Sequence, residues 1–488
     1  MKHLRKIVLE LAACIACTCI AALPQQRIFT APLRAEALNY RIVEDEERHL
    51  KFTVYADHAV VYGSFFGPSV YIGDIDIPSE CEGVPVTEIG SRGFRNFICT
   101  RKITIPDTVT TIDSRAFSGC GILNNLVIPD SVTSIGEYAF EACDSLRDLT
   151  LSKHVTRIEK GAFYNCRFVQ EFSLPESITY IGESAFAGCQ ELSSISIPDS
   201  VTYIGSYAFS QCTALADVKL PRSLKTLDRY AFYGTAITSI SIPDLVETIE
   251  VGTFRECTML SAVKLPKKLK QIRMYAFFGC SKLTGISVPE NVSTIDFGAF
   301  RNCTALESVS LPDGLLSIGL AVFENTALKK LIVPQSVTQI GEDVCRNCTK
   351  LTEVSLPDGL TEISARAFYG CTNLADVKLP AQLERISERA FQGTAVARLI
   401  LPQGVRWIGA DAFRNCRKLT YVKIPNSVTN IRTEAFRNCT RLMSVTLPKS
   451  VNYIGENAFT HVKTIRGYRG SCAQAYADRN GIQFVRLS

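Results

Sequence analysis

The chain has 488 residues, 46% hydrophobic and 21% charged, with a formal net charge of +5. That balance excludes a disordered chain and fits a folded one. Length alone would suggest about three globular domains, but an internal repeat overrides that expectation. Residues 1–37 read as an export signal, with a basic start (Lys2, Arg5, Lys6) and an uncharged run from Leu11 to Leu23. Cleavage is expected after Ala35-Glu36-Ala37 or nearer Leu23. Leu11-Ala-Ala-Cys14 also has the form of a lipobox, which would make Cys14 a lipid anchor and the one route to membrane contact. An uncleaved anchor is the third option, although the run is short for a span. Residues 38–74 lie outside the repeat. Lys51–Tyr55 and Ala59–Tyr62 read as short strands of an N-terminal cap, and Glu44–Glu47 as a solvated turn.

From residue 75 to 462 one unit recurs, and a period between twenty and fifty residues marks a repeat architecture. Ile197-Pro-Asp-Ser-Val-Thr-Tyr-Ile-Gly-Ser-Tyr-Ala-Phe-Ser-Gln-Cys-Thr-Ala-Leu215 is one copy. A proline follows the short apolar run, with Ser152 standing where one more is due, and an aromatic follows that proline by eleven residues, with Cys345 taking the slot once. From Phe94 to Phe459 there are 365 residues in 16 steps, thirteen of 23 and three of 22, giving 17 units. The short units carry Thr235, Thr326 and Thr394 where others carry cysteine. A hydroxyl bonded to nearby backbone suits their tighter loop. The alternation of Leu192-Ser-Ser-Ile-Ser-Ile-Pro198 predicts a strand closed by proline, and Val201–Ile204 a second extended piece. Ser206–Cys212 reads as a single-turn helix that sends phenylalanine inward. Phe186, Phe209, Phe277 and Phe300 therefore form a core ladder beside Cys212 and Cys303.

Twelve of the nineteen cysteines share one repeat column. A single inward column predicts free thiols acting as small hydrophobes, because disulfide geometry needs closer Cβ atoms than parallel rungs give. Residues 463–488 read as a C-terminal cap: Ser471 as helix N-cap, a helix over 473–479, Gly481 as its stop, and a last strand from Ile482 to Val485.

Strand, proline, Val-Thr-x-Ile-Gly, Ala-Phe-x-x-Cys and x-x-Leu together resemble the BspA-like, or Treponema-type, leucine-rich repeats. Gly467-Tyr-Arg-Gly-Ser471 and Asn480-Gly-Ile-Gln-Phe484 are similar to that family's usual ending. The resemblance implies a leucine-rich-repeat solenoid, α/β but mostly β, of about 17 coils of 22–23 residues. It would have a parallel sheet on one face, short strands and single-turn helices elsewhere, and a cap at each end. It further implies an exported, non-enzymatic binding scaffold at a cell surface, secreted or periplasmic. Its partner would be a protein or glycan on host or neighbouring cells. The alternative is a self-associating structural protein of the envelope. A monomer without nucleic-acid partner or cofactor is expected.

Catalysis finds no footing in the residues. His3, His49, His58, His154 and His461 share no ligand spacing with the cysteines, and Cys345-Arg-Asn-Cys348 reads as a core rung, with Cys345 in the aromatic slot. Binding has more to rest on. Outward positions four and two before each proline form columns, including Asp376/Lys378, Arg398/Ile400 and Tyr421/Lys423. Trp407, the only tryptophan, has Arg385, Arg398 and Arg406 on nearby coils. Tryptophan, tyrosine and arginine are favoured at interface hot spots, so these residues are the candidate partner-binding set. Residues 341–488 carry a net +9 and residues 38–340 a net −7.

Overall fold

The structure, a computed structural model, describes residues 40–63 and 73–488. The expected signal, with Cys14, lies outside the described residues. Everything below concerns the unit Arg41–Ser488.

One coil shows how each residue is used. In the strand Ser194–Ser196, Ile195 is buried and both serines are exposed. It pairs in parallel with Glu171–Ser173 on one side and Asp217–Val218 on the other. Pro198 ends it, and the Val201 N–H returns to the Pro198 carbonyl at 3.1 Å, closing a turn. Tyr203–Ile204 then forms a second strand, in register with Tyr180–Ile181 and Thr226–Leu227. Each coil thus contributes to two parallel ladders, one before and one after the proline corner. The sequence reading expected one sheet and an extended piece beside it; that piece is itself a ladder.

The expected single-turn helices are absent from the coils. Cys472–Arg479 is the one α-helix among the described residues. In Ser206–Cys212, the N–H groups of Ala208, Ser210 and Cys212 bond three residues back, to Gly205, Tyr207 and Phe209, at 3.0–3.2 Å. Those between them reach forward to the next coil: Tyr207 to Arg229, Phe209 to Ala231 and Gln211 to Tyr233, at 2.7–3.0 Å. The cause lies in the backbone hand. Tyr207 (φ 57°) and Gln211 (φ 60°) are left-handed, and the same two slots recur along the chain. A helix needs consecutive right-handed residues. Two left-handed residues four apart interrupt any such run, and the N–H groups of Tyr207, Phe209 and Gln211 turn out of the coil, so a third coil-to-coil ladder forms and these donors are satisfied.

The core is a stack. Phenylalanine rings of adjoining coils lie 5.2–5.9 Å apart, tilted by only 2–16°. Phe186, Phe209, Phe277, Phe300, Cys212 and Cys303 are all fully buried, as expected. The stack is interrupted once, between Phe323 and Phe368, where buried Cys345 takes the rung. All sixteen cysteines among the described residues are free. The Cys212 thiol donates to the Phe186 carbonyl one coil earlier at 3.1 Å, and Cys303 to Phe277 likewise at 3.1 Å. In the short coils, Thr235, Thr326 and Thr394 bond the carbonyls of Phe232, Phe323 and Phe391 in their own coil at 2.8–3.0 Å.

Both ends are closed. The strands Arg41–Asp45, Leu50–Val54 and Ala59–Tyr62 form an antiparallel meander. The last of these pairs in parallel with Val84–Ile89 and so extends the second ladder beyond the phased units. The acidic run is strand through Asp45, whose carboxylate accepts from Arg48 in the turn at 2.8 Å. At the other end, Ser471 caps Cys472–Arg479 by accepting from the Gln474 N–H. Gly481 (φ 64°) terminates the helix, with Ile482 N–H bonded to the Ala477 carbonyl at 2.9 Å. Gln483–Arg486 then pairs with Thr464–Gly467 and lengthens the first ladder.

Candidate binding surface

The side chains that point away from the core belong to the outward positions of the two ladders and to the turn segment. The first ladder brings Arg398–Ile400 and Tyr421–Lys423 together in register. The Arg398 guanidinium lies over the Tyr421 ring, 4.8 Å from its centroid. Ile400 is 60% exposed and Tyr421 41%, so an aliphatic and an aromatic side chain meet water beside Arg398 and Lys423. Asp376–Lys378 pairs only with Glu353–Ser355. The ladder breaks before Arg398, where the short coil of Phe391 drops a residue, and Lys378 sits 3.6 Å from Asp358. Asp376 and Lys378 thus stand across a break from the other four.

The remaining candidates lie on the second ladder. Arg385, Trp407, Asn430 and Tyr453 occupy successive rungs. Arg385 lies over Trp407 at 5.0 Å, and Arg432, from the following coil, over the same ring at 4.8 Å. Arg432 is also 5.2 Å from the Tyr453 ring. Trp407 is half-buried, and exposed Arg406 precedes it. The eight candidates therefore fall on two ladders on either side of the proline corner, and Arg432 was overlooked. Its signal was in the sequence: it replaces the glycine that follows isoleucine in coils such as Ile204-Gly205 and Ile408-Gly409.

Toward the N-terminus the second ladder holds a related cluster. Arg157 lies 3.7 Å over Tyr180, which stacks on Tyr203 at 4.8 Å. There the arginine is bonded to Glu159 at 2.7 Å. Burial and the hydrogen-bonded Asp228 carboxylate push the Tyr203 phenol up to about 12. On the turn segment, several arginines are matched with acids: Arg301–Glu324 at 2.9 Å, Arg366–Asp343 at 2.9 Å and Arg414–Glu434 at 2.8 Å. The first ladder also carries an open depression of about 740 Å³ at the first short coil, lined by Asp217, Lys219, Ser239, Ser241, Ala262 and Lys264 among others.

Nucleophilic work needs thiolate. Burial holds most ladder thiols away from it, whereas Cys348, against its burial, is lowered by hydrogen bonds from Cys345 and Thr326. Burial pushes Cys120, Cys166 and Cys257 up to about 12 and Cys416 up to about 11. Cys345 is raised by its hydrogen bond with Cys348 and by burial. Among the described residues no group of histidine, cysteine and acid side chains is arranged to hold a metal ion. No helix among them is long and apolar enough to cross a membrane.

Stacked coils, a proline-closed strand and an inward phenylalanine–cysteine core define a leucine-rich-repeat solenoid. The chain belongs to the family described as the BspA type leucine rich repeat region, which matches residues 63–193, 133–254, 179–303, 225–352 and 338–466. A leucine-rich repeat protein from Bacteroides ovatus is similar in fold, with 23% identity, a TM-score of 0.52, and coverage of 93% of this chain and 100% of that one. A leucine rich cell surface protein from Faecalibacterium prausnitzii has 25% identity, a TM-score of 0.41, and coverage of 90% and 97%. The pneumococcal vaccine antigen PcpA has 16% identity, a TM-score of 0.37, and coverage of 92% and 99%. No curated protein matches the chain.

Proposed function

We propose that the protein is exported and acts at a cell surface as a non-enzymatic scaffold that adheres to a protein partner through the first ladder. The observation that carries this reading is the patch formed by Arg398, Ile400, Tyr421 and Lys423. It combines exposed apolar area, an aromatic ring and flanking charge in register on a rigid ladder. Such a composition matches the anchor-and-rim anatomy of protein interfaces. Family membership and the apolar N-terminal run support export and surface display.

The test is attachment of the purified mature chain to surfaces coated with host-matrix and bacterial-surface proteins. Arg398→Ala/Tyr421→Ala should weaken attachment about tenfold, the weight of one good hot spot, with an unchanged unfolding midpoint. Equal attachment by the double variant would remove the patch. Sizing at high concentration addresses the envelope-structural alternative: a monomer supports the adhesive reading, and concentration-dependent assembly replaces it with self-association.

A further inference from the structure

We propose that the second ladder of the C-terminal coils is a separate binding site for an anionic polysaccharide, a polymer of sulfated or uronic sugars. The inference rests on the reading of the protein as an exported binding scaffold, but it uses different residues.

The arginines sort into two kinds. Several of the turn segment have carboxylates within ion-pair distance, as in Arg301–Glu324 and Arg414–Glu434, whereas Arg255 there lies over the rings of Tyr275 and Phe278 with no ion pair among the described residues. Arg157, in the same column as Trp407 but nearer the N-terminus, is paired with Glu159. Arg385, Arg406 and Arg432 have no ion pair among the described residues; Arg385 and Arg432 lie instead over Trp407, and Arg432 also over Tyr453. Stacking holds a guanidinium in place without neutralising it. A planar fork that is fixed and still charged suits a carboxylate or sulfate group.

Register gives the row its length. Neighbouring rungs of a parallel ladder are about 4.8 Å apart, so Arg385, Trp407, Asn430 and Tyr453 make a straight row. A linear polymer with anions at intervals fits a row better than a folded partner does. Asn452 there can both donate and accept, as sugar hydroxyls do. The Ser387 hydroxyl, which donates to Glu362, and the Thr429 hydroxyl, which donates to Arg406 and Asn430, keep lone pairs to accept with. The row has no exposed aliphatic residue of the kind that Ile400 supplies on the first ladder; its apolar area is that of the Trp407 and Tyr453 rings, flat faces that a sugar ring can cover. Exposed Glu362 and Glu384 stand at its N-terminal edge and set where an anionic chain would end. The net +9 of residues 341–488 favours approach of such a chain to this end.

The experiment is titration of the purified mature chain at near-physiological salt with four probes: heparin (sulfated), hyaluronate (uronic only), polyglutamate and single-stranded DNA. Heparin or hyaluronate should bind, and polyglutamate and DNA should bind at least about tenfold more weakly. Arg385→Gln/Arg432→Gln should weaken polysaccharide binding about tenfold or more. Arg385→Lys/Arg432→Lys, which keeps the charge and loses the fork, should still weaken it severalfold. Arg398→Ala/Tyr421→Ala should leave it unchanged. Absence of polysaccharide binding overturns the site, as does equal binding of polyglutamate or DNA, or full affinity in the lysine variant. If polysaccharide binding fails while Arg398→Ala/Tyr421→Ala still reduces protein attachment, this inference falls and the first-ladder reading stands.

Discussion

A ladder cysteine and a short-coil threonine perform related tasks. The Cys212 thiol reaches back 3.1 Å to the Phe186 carbonyl of the previous coil, whereas the Thr235 hydroxyl bonds Phe232 in its own coil at 3.0 Å. The thiol is compact and apolar enough for the core, and burial keeps it unionised there. That preference links the column to pH. An unfolded thiol ionises near 9, whereas burial raises Cys120, Cys166 and Cys257 to about 12 and Cys416 to about 11. The folded state therefore binds more protons than the unfolded state between these limits. The stabilisation is complete below pH 9 and is lost as pH rises through 11 to 12. Each such thiol contributes about 1.4 kcal/mol per pH unit to the slope within that window. The urea midpoint should accordingly fall steeply above pH 9. Cys166→Ala/Cys257→Ala should start lower, through lost packing, but decline less steeply. Equal slopes in the two proteins would show that the buried thiols do not govern alkaline unfolding.

At the level of the coil, the letters facing inward were legible and the backbone hand was not. Proline closure, the strand Ser194–Ser196, the phenylalanine–cysteine core and the C-terminal helix with its glycine stop all follow from patterns with one physical meaning. The turn segment misled because its left-handed slots hold Arg115, Tyr138, Tyr207 and Arg366, residues that normally avoid positive φ. The clue lay in the column: Gly161, Gly252 and Gly298 share that slot, and asparagine or glycine most often fills the second one, as in Asn165 and Gly188. The binding residues were found by type, but their division between ladders was not. Arg398 and Trp407 are nine residues apart, on opposite sides of a corner whose angle the sequence does not state.

The dropped residues had a consequence beyond their own loops. The first ladder breaks at each short coil, between Asp217–Val218 and Ser239–Ser241, Ser308–Ser310 and Lys330–Ile332, and Asp376–Lys378 and Arg398–Ile400; it also breaks at three regular coils, after Asp148–Thr150, Ala262–Lys264 and Tyr421–Lys423. At the break after Val218 no backbone bond joins Leu220 to Ser241, whereas Ile242 bonds Lys264 at 3.0 Å one coil on. Changing Thr235 to cysteine and inserting one residue after it restores the regular spacing. Hydrogen exchange should then slow at Leu220, and the depression lined by Asp217, Ser239 and Lys264 should shrink. Unaltered exchange at Leu220 would mean that the missing residue does not cause the break.

Over the whole stack, every coil is completed by its neighbour, so an end must imitate a coil that is not there. Along the chain each core phenylalanine N–H bonds a carbonyl of the next coil, as Phe209 bonds Ala231 and Phe436 bonds Ala458, at 2.8–2.9 Å. Phe459 is the last of the series, and its N–H is met by the Tyr476 hydroxyl at 3.1 Å. The Tyr476 ring meets the Phe459 ring edge-on at 6.0 Å, where the stack would otherwise present a bare face. One side chain from the cap helix therefore substitutes for both the missing carbonyl and the missing ring. Tyr476→Phe keeps the ring and leaves a buried N–H unpaired, which costs about 1–3 kcal/mol. Tyr476→Ala removes both and should cost about 3–5 kcal/mol. In a stack governed by nearest-neighbour contacts, that loss should appear first as faster hydrogen exchange at Phe459 and Phe436. Coils near Phe186 should keep wild-type protection in Tyr476→Phe. Uniform loss of protection from Phe94 to Phe459 would instead show that the coils unfold as one cooperative block, and that the cap guards the whole stack.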